Sequence, residues 1–276
     1  LTPGSRERGE LARRYGPWAL VAGASEGIGA AFARALAEDG FNLILVARRA
    51  VPLDALAEEL GGAHRISVTT IPCDLGETGT VPAIVAASAD REIGLLVYNA
   101  ASSSVGPFLA TPAPAHAAMI DVNARAPVLL AHALAGSMAR RKRGGIVLMS
   151  SLTAFQGTPL VATYGATKAF NLVLAEALWS ELASHGIDVV ACCAGATTTP
   201  GYDRVTPRSS EARFGPRPQA PGDVAREALA ALGRRPVAIT GFANRLASFV
   251  MRRVLSRRQA VSVMTRAMKA RYDPGE

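Results

Sequence analysis

Short apolar runs alternate with longer amphipathic stretches along most of the chain. Seven runs have strand length and are rich in Leu or β-branched residues: Trp18–Ala22, Asn42–Val46, Ile66–Ile71, Gly94–Tyr98, Gly145–Met149, Ile187–Cys192 and Pro236–Thr240. Most are apolar at consecutive positions, as a parallel strand covered on both faces requires. Between them, apolar residues recur at helical spacing over roughly 27–39, 52–60, 80–88, 112–140, 163–185 and 222–232. Strands that alternate with helices predict one α/β domain on a doubly wound, parallel, seven-stranded sheet. That pattern fills 16–240, leaving 1–15 as an N-terminal extension and 241–276 as a C-terminal helical one. The irregular stretch is Thr197–Pro221, rich in Pro, Gly, Ser, Thr and Arg. It follows the sixth strand's carboxyl end, where ligands bind in open α/β sheets, so it reads as a substrate lid. Its Pro and Gly content excludes one long helix but leaves room for a short one.

Composition narrows the class. About half of the 276 residues are apolar, enough for a core, and 26 Gly with 17 Pro are too few for a collagen or a low-complexity chain. Three cysteines, two of them adjacent (Cys192, Cys193), exclude a disulfide scaffold and fit a reducing, cytoplasmic compartment. The adjacent pair is expected to face opposite sides of the sixth strand as packing. No run approaches the ~18 apolar residues of a spanning helix, and residues 1–16 lack the apolar stretch of a secretory signal. The chain begins at Leu1, which points to a natural start upstream. His64, His116, His132 and His185 are too scattered to hold a metal.

The chain carries a net charge of +8, and all of it lies near the C-terminus. Gly241–Tyr272 holds eight basic residues and no acid, whereas the rest carries 22 of each sign. Within that segment Leu246, Phe249, Val250, Val254, Val261, Met264 and Met268 recur at about helical spacing. Three readings fit: a helix packed on the body or on a second subunit, a cationic amphipathic helix at a membrane surface, or loose contact with nucleic acid. Nothing in the segment reads a specific nucleic acid sequence.

The candidate chemistry begins where the first strand runs into Ala22-Gly23-Ala24-Ser25-Glu26-Gly27-Ile28-Gly29 and then a helix. Glycines spaced by four and then two allow a sharp turn and close backbone approach to a pyrophosphate, which the helix N-terminus attracts. NAD-selective sites place an acid at the end of the second strand. This chain has Arg48 and Arg49 there, and a guanidinium with Ser25 nearby suits the 2′-phosphate of NADP. Glu26 fits that phosphate less well. Asp74, just past the third strand, either accepts from the adenine amino group or shapes a turn.

Ser151, Tyr164 and Lys168 form the second constellation, at spacings of 13 and 4. Tyr164 and Lys168 share a helix face. An ammonium beside a phenol favours its ionisation and can also reach ribose hydroxyls. Lys is rare here, with only Lys142, Lys168 and Lys269 among 30 basic residues, which draws attention to this one.

These motifs, with Asn99-Ala100-Ala101 and Asp121-Val122-Asn123, resemble the short-chain dehydrogenase/reductase family over roughly 16–240. The resemblance implies a Rossmann fold and NAD(P)(H)-dependent carbonyl or alcohol chemistry on a small-molecule substrate. It implies Tyr164 as acid/base, Ser151 as hydrogen-bond donor to the substrate oxygen, and Lys168 as holder of the ribose and tuner of Tyr164. Asn123 would anchor a water in the proton relay. The implied cofactor contacts are Gly23, Ser25, Gly27, Ile28, Gly29, Arg48, Arg49, Asp74, Leu75, Asn99, Ala100, Tyr164, Lys168, Gly195, Thr197 and Thr199. Two departures concern substrate shape: Ala101 stands where the family has Gly, and Ala194-Gly195 where it has Pro-Gly. The lead-in Tyr15–Val21 resembles the branch of 3-ketoacyl and 17β-hydroxysteroid reductases, which implies NADPH, a lipophilic ketone and a homodimer or homotetramer. Phe155, Leu160, Tyr202 and Phe214 are the expected substrate contacts. Two other functions remain open, a non-catalytic NADP-binding sensor or scaffold and an alcohol dehydrogenase working oxidatively.

Overall fold

A computed structural model of the chain describes residues 9–205 and 216–272. Its strands are β1 (Trp18–Ala22), β2 (Asn42–Ala47), β3 (Val68–Pro72), β4 (Ile93–Tyr98), β5 (Gly144–Ser151), β6 (Ile187–Ala194) and β7 (Val237–Ile239). They form one sheet in the order β3-β2-β1-β4-β5-β6-β7, every pair parallel. The order reverses between β1 and β4, and the crevice beyond their carboxyl ends is the ligand position of such sheets.

Both faces of the strands are buried, and alternate residues serve different layers. Leu43 and Leu45 join Phe32 and Leu36 of α2 (Gly27–Glu38), Leu53 of α3 (Ala50–His64) and Val224 of α9 (Pro221–Ala231). Ile44 and Val46 join Ile84 of α4 (Thr80–Ala87), Leu130 of α6 (Ala126–Arg141) and Leu172 of α7 (Ala162–Glu181). Truncating any of these leucines to Ala would cost about 2–5 kcal/mol. Cys192 and Cys193 are free thiols in opposite layers, as the alternation predicts. Among the described residues no helix is long and apolar enough to cross a membrane.

The elements depart from the sequence pattern in four informative places. Residues 10–15 of the expected extension form a short helix, α1 (Glu10–Tyr15), seated in the core. Tyr15 is buried and donates to Asp188 Oδ2 at 2.6 Å. The third strand starts at Val68 because α3 runs on to His64 and Arg65 caps it with a left-handed φ of 56°. The helical stretch 112–140 is divided into α5 (Ala113–Ile120), a π-helical turn at Asp121–Arg125, and α6. Pro127, in the first turn of α6, has no N–H to continue the earlier ladder. The C-terminal segment is divided too, into α10 (Phe242–Phe249), a second π-helical turn and α11 (Arg257–Tyr272). Ser256 and Gln259 make reciprocal backbone bonds that cap α11, the geometry of a capping box.

Candidate active site

At the end of β1 the chain turns at Gly23, whose φ of 81° disfavours any side chain. A Cβ there would stand 2.6 Å from the Ala100 backbone, and one on Gly29 only 1.9 Å from the Gly23 carbonyl oxygen. The turn is therefore folded onto itself and onto β4's exit. Gly23 donates to Val46 O (2.7 Å), and Asn99 Nδ2 donates to Gly23 O (3.0 Å). Ala101, where the family has Gly, is exposed and leaves these bonds intact. No side chain caps α2, so its first N–H groups face the crevice with the helix dipole behind them. Ser25 lies in this turn, Ile28 in the first turn of α2, and Leu75 is buried.

The two arginines after β2 differ. Arg49 is paired with Glu26 at 2.6 Å, and Arg204 of α8 (Pro200–Val205) reaches the other Glu26 oxygen at 2.5 Å. Burial opposes the Glu26 charge, but the two arginine hydrogen bonds together outweigh it and hold the carboxyl below its usual range. The acid that seemed ill-suited beside a phosphate is thus neutralised by two cations. Arg48 keeps an exposed guanidinium, 3.9 Å from Asp74. Asp74 also accepts from Gly76 N at 2.8 Å, which is its turn-shaping role.

Ser151 ends β5, and α7 carries Tyr164 and Lys168 past it. The Ser151 hydroxyl, which accepts from Thr153 N at 3.2 Å, lies near enough to the Tyr164 phenol to lower it. Burial raises the Tyr164 phenol above its ordinary range, Ser151 lowers it in part, and the phenol of Tyr272 pushes it up again. Lys168 is 2% exposed, and burial pulls its ammonium down to about 8. Its Nζ donates to Met149 O at 3.0 Å and lies 5.5 Å from the Tyr164 ring centroid. The ammonium has three donors, so this contact leaves it capacity for further partners. The π-helical turn carries Asn123 into full burial. Asn123 exchanges bonds with the Ser102 backbone (2.7 and 2.8 Å), donates to Thr167 Oγ1 at 3.0 Å, and accepts from Asn171 Nδ2 on its carbonyl. It ties the loop after β4 to α7.

A profile described as short chain dehydrogenase matches residues 17–209. The chain belongs to the short-chain dehydrogenase family. It is 32% identical over 236 residues to the 7beta-hydroxysteroid dehydrogenase of Mediterraneibacter gnavus, covering 85% of this chain and 90% of that protein. A solved structure of a 7beta-hydroxysteroid dehydrogenase, studied for its stereoselectivity, matches with a TM-score of 0.84 and 30% identity, over 92% of this chain and 98% of that one. A short-chain dehydrogenase from Sphingobium yanoikuyae, in complex with NADPH, matches with a TM-score of 0.74 and 32% identity, over 84% and 92%.

A cavity of about 260 Å³ opens beside Tyr164 in this short-chain dehydrogenase. Pro107, Phe108, Met119, Leu160 and Val161 give it apolar walls. Leu160, an expected contact, has a φ of 64°, unusual for a branched residue. His116 lines the same cavity, bonded to Thr163 Oγ1 at 2.8 Å and to Phe108 O at 3.3 Å, and nothing in its spacing announced this. Phe155 lies elsewhere, beneath the Arg252 guanidinium at 4.3 Å. Tyr202 sits in α8, a short helix of the kind the 197–221 sequence left room for, and Phe214 lies outside the described residues. The two ends of the 197–221 segment are joined by Thr198 N to Gln219 O (2.9 Å) and Gln219 N to Ala196 O (2.9 Å). Thr197 Oγ1 bonds Gly195 O (3.1 Å), Gly195 fits tightly against Asn244, and Thr199 packs on Gly27. Among the described residues no cluster of His, Cys, Asp or Glu could hold a metal.

Proposed function

We propose that this protein reduces bulky, apolar ketones to secondary alcohols with NADPH, and that Tyr164 donates the proton. One observation carries the reading: a fully enclosed Lys168 ammonium stands beside a phenol that burial keeps protonated, with Ser151 as its neighbour. A buried charge is unfavourable unless something binds it, and an enclosed ammonium with spare donors fits the ribose hydroxyls of a dinucleotide. The uncapped α2 N-terminus fits the pyrophosphate and the exposed Arg48 the 2′-phosphate. NADPH, when bound, supplies the hydride.

The chain's own residues do the rest. The Ser151 and Tyr164 hydroxyls are neighbours, and a carbonyl oxygen placed between them could accept from both. Negative charge that develops on that oxygen draws the Tyr164 proton. The phenol carries its proton at neutral pH and so can serve as the donor. Lys168 holds the ribose side in register. Asn123 fixes the start of α7 through Thr167, so that Tyr164 cannot drift from Ser151.

The apolar cavity beside Tyr164 supports a lipophilic substrate, as does the likeness to 7beta-hydroxysteroid dehydrogenases. The test is NADPH oxidation, followed at 340 nm, against bulky steroid, ketoacyl thioester and aromatic polyketide ketones. Consumption with matching alcohol formation is expected for at least one bulky class. Tight NADPH binding with no turnover on any would favour a sensor instead.

A further inference from the structure

Helix α10 sits on the body inside out. Its buried residues are polar, Asn244 and Ser248, one turn apart. Phe242 (75% exposed), Leu246 (56%), Phe249 (60%) and Val250 face the other way. Helical geometry sets these four within an arc of about 100°. The π-helical turn that follows, Val250–Val254, adds Val254 (65%) five residues after Phe249, which is the repeat of such a turn. An apolar strip about 20 Å long thus runs over 242–254.

The strip cannot roll inward without breaking the contacts of the opposite side. Asn244 Nδ2 donates to Thr240 O at 2.8 Å, and Arg245 Nη1 pairs with Glu227 Oε2 at 2.9 Å. In the π-helical turn Arg252 covers the Phe155 ring at 4.3 Å, and at the start of α11 Arg257 Nη1 donates to Phe155 O at 3.2 Å.

The charge that accompanies the strip has one sign, with eight basic residues and no acid over Gly241–Tyr272. Arg253 adjoins Val254, and Arg258, Arg266 and Lys269 share the side of α11 away from the buried Ala260 and Met268. All four are exposed, and among the described residues none of them has an acidic partner. A second copy seated on the same strip would bring two sets of such cations together, because an isologous contact pairs a surface with itself. A nucleic acid would take the cations but leave the apolar side chains in water. An anionic lipid surface takes both, the cations at its headgroups and the apolar side chains at the acyl boundary.

We propose that 242–254 docks the protein on an anionic bilayer surface. Phe242, Leu246, Phe249 and Val254 enter the boundary between headgroups and acyl chains, and Arg253 and Arg258 meet lipid phosphates. The contact is peripheral, since the apolar residues form one stripe and not a full circumference. It is independent of the reductase reading.

The test is co-sedimentation of the full chain with vesicles of phosphatidylcholine alone and with vesicles of equal phosphatidylcholine and phosphatidylglycerol. Wild type should bind the mixed vesicles at least ~10-fold more strongly, and high salt should weaken that binding. Arg253→Gln/Arg258→Gln should weaken it roughly fivefold for each charge removed. Phe242→Ser/Phe249→Ser should weaken it at least ~10-fold through lost apolar burial. Tm and NADPH affinity should stay at wild-type values in both variants. Equal sedimentation of wild type with the two kinds of vesicle overturns the proposal, whatever the variants do. Full retention of binding in Phe242→Ser/Phe249→Ser overturns it too. Dimerisation that the phenylalanine variant loses, seen by ultracentrifugation without any vesicle binding, would overturn it and give the strip to a second copy. Binding of double-stranded DNA in place of vesicles would also overturn it.

Discussion

Replacing Lys168 by Met measures what it costs the fold to keep a charge in its interior. The ammonium is 2% exposed, and it donates to a backbone carbonyl, Met149 O, at 3.0 Å. Burial brings it from 10.5 to about 8. Between those values the unfolded chain binds the proton and the folded chain does not, so folding becomes more favourable as pH rises through the window. Below pH 8 both states are protonated and the full penalty, ~3 kcal/mol from the size of the shift, is present. The Met variant has no such group, and every other titrating residue is common to both proteins. Chemical denaturation at pH 7, 8, 9 and 10, at fixed ionic strength, should show wild type gaining on Lys168→Met by about 2–3 kcal/mol across the series. The absolute difference at pH 7 also contains the lost bond to Met149 O, so the change with pH is the diagnostic quantity. Parallel stability curves would refute the claim that a charged amine is buried there.

Two further substitutions probe the cofactor cradle. Gly29→Ala places a methyl 1.9 Å from the Gly23 carbonyl oxygen, so the turn must open at a cost of about 1–3 kcal/mol. A lowered Tm and at least ~10-fold weaker NADPH binding are expected, the latter by the free-energy equivalence of affinity; unchanged binding would show that the turn does not hold the pyrophosphate. Arg48→Asp should weaken NADPH by ~10- to 100-fold, the range of a charge-assisted hydrogen bond, and leave NADH little changed. Equal losses for both dinucleotides, measured by fluorescence titration, would remove Arg48 from the 2′-phosphate.

Local pattern made much of this molecule legible. The seven strands follow from apolar runs, the glycine turn from its spacing, and the Tyr164–Lys168 face from helical geometry. The interruptions were harder to see. The division of 112–140 depends on a π-helical turn that carries Asn123 inward, and helical periodicity averages over such a turn. A boundary clue was present at Pro127, as it was in Ser256 and Gln259 before α11. Long-range pairings left no local trace. Arg204 meets Glu26 across 178 positions, and Arg257 of the basic C-terminal segment donates to Phe155 O across 102. Such contacts belong to the packed chain, and charge composition alone points away from them.

The most direct measurement is a single turnover with NADPH deuterated at the transferring position and a bulky ketone, the alcohol being analysed by mass spectrometry. Wild type should give a product carrying one deuterium on the carbinol carbon. Tyr164→Phe should bind NADPH about as tightly yet form that product ~100-fold or more slowly, the range for loss of a general acid. Labelled alcohol formed by Tyr164→Phe at the wild-type rate would contradict the account.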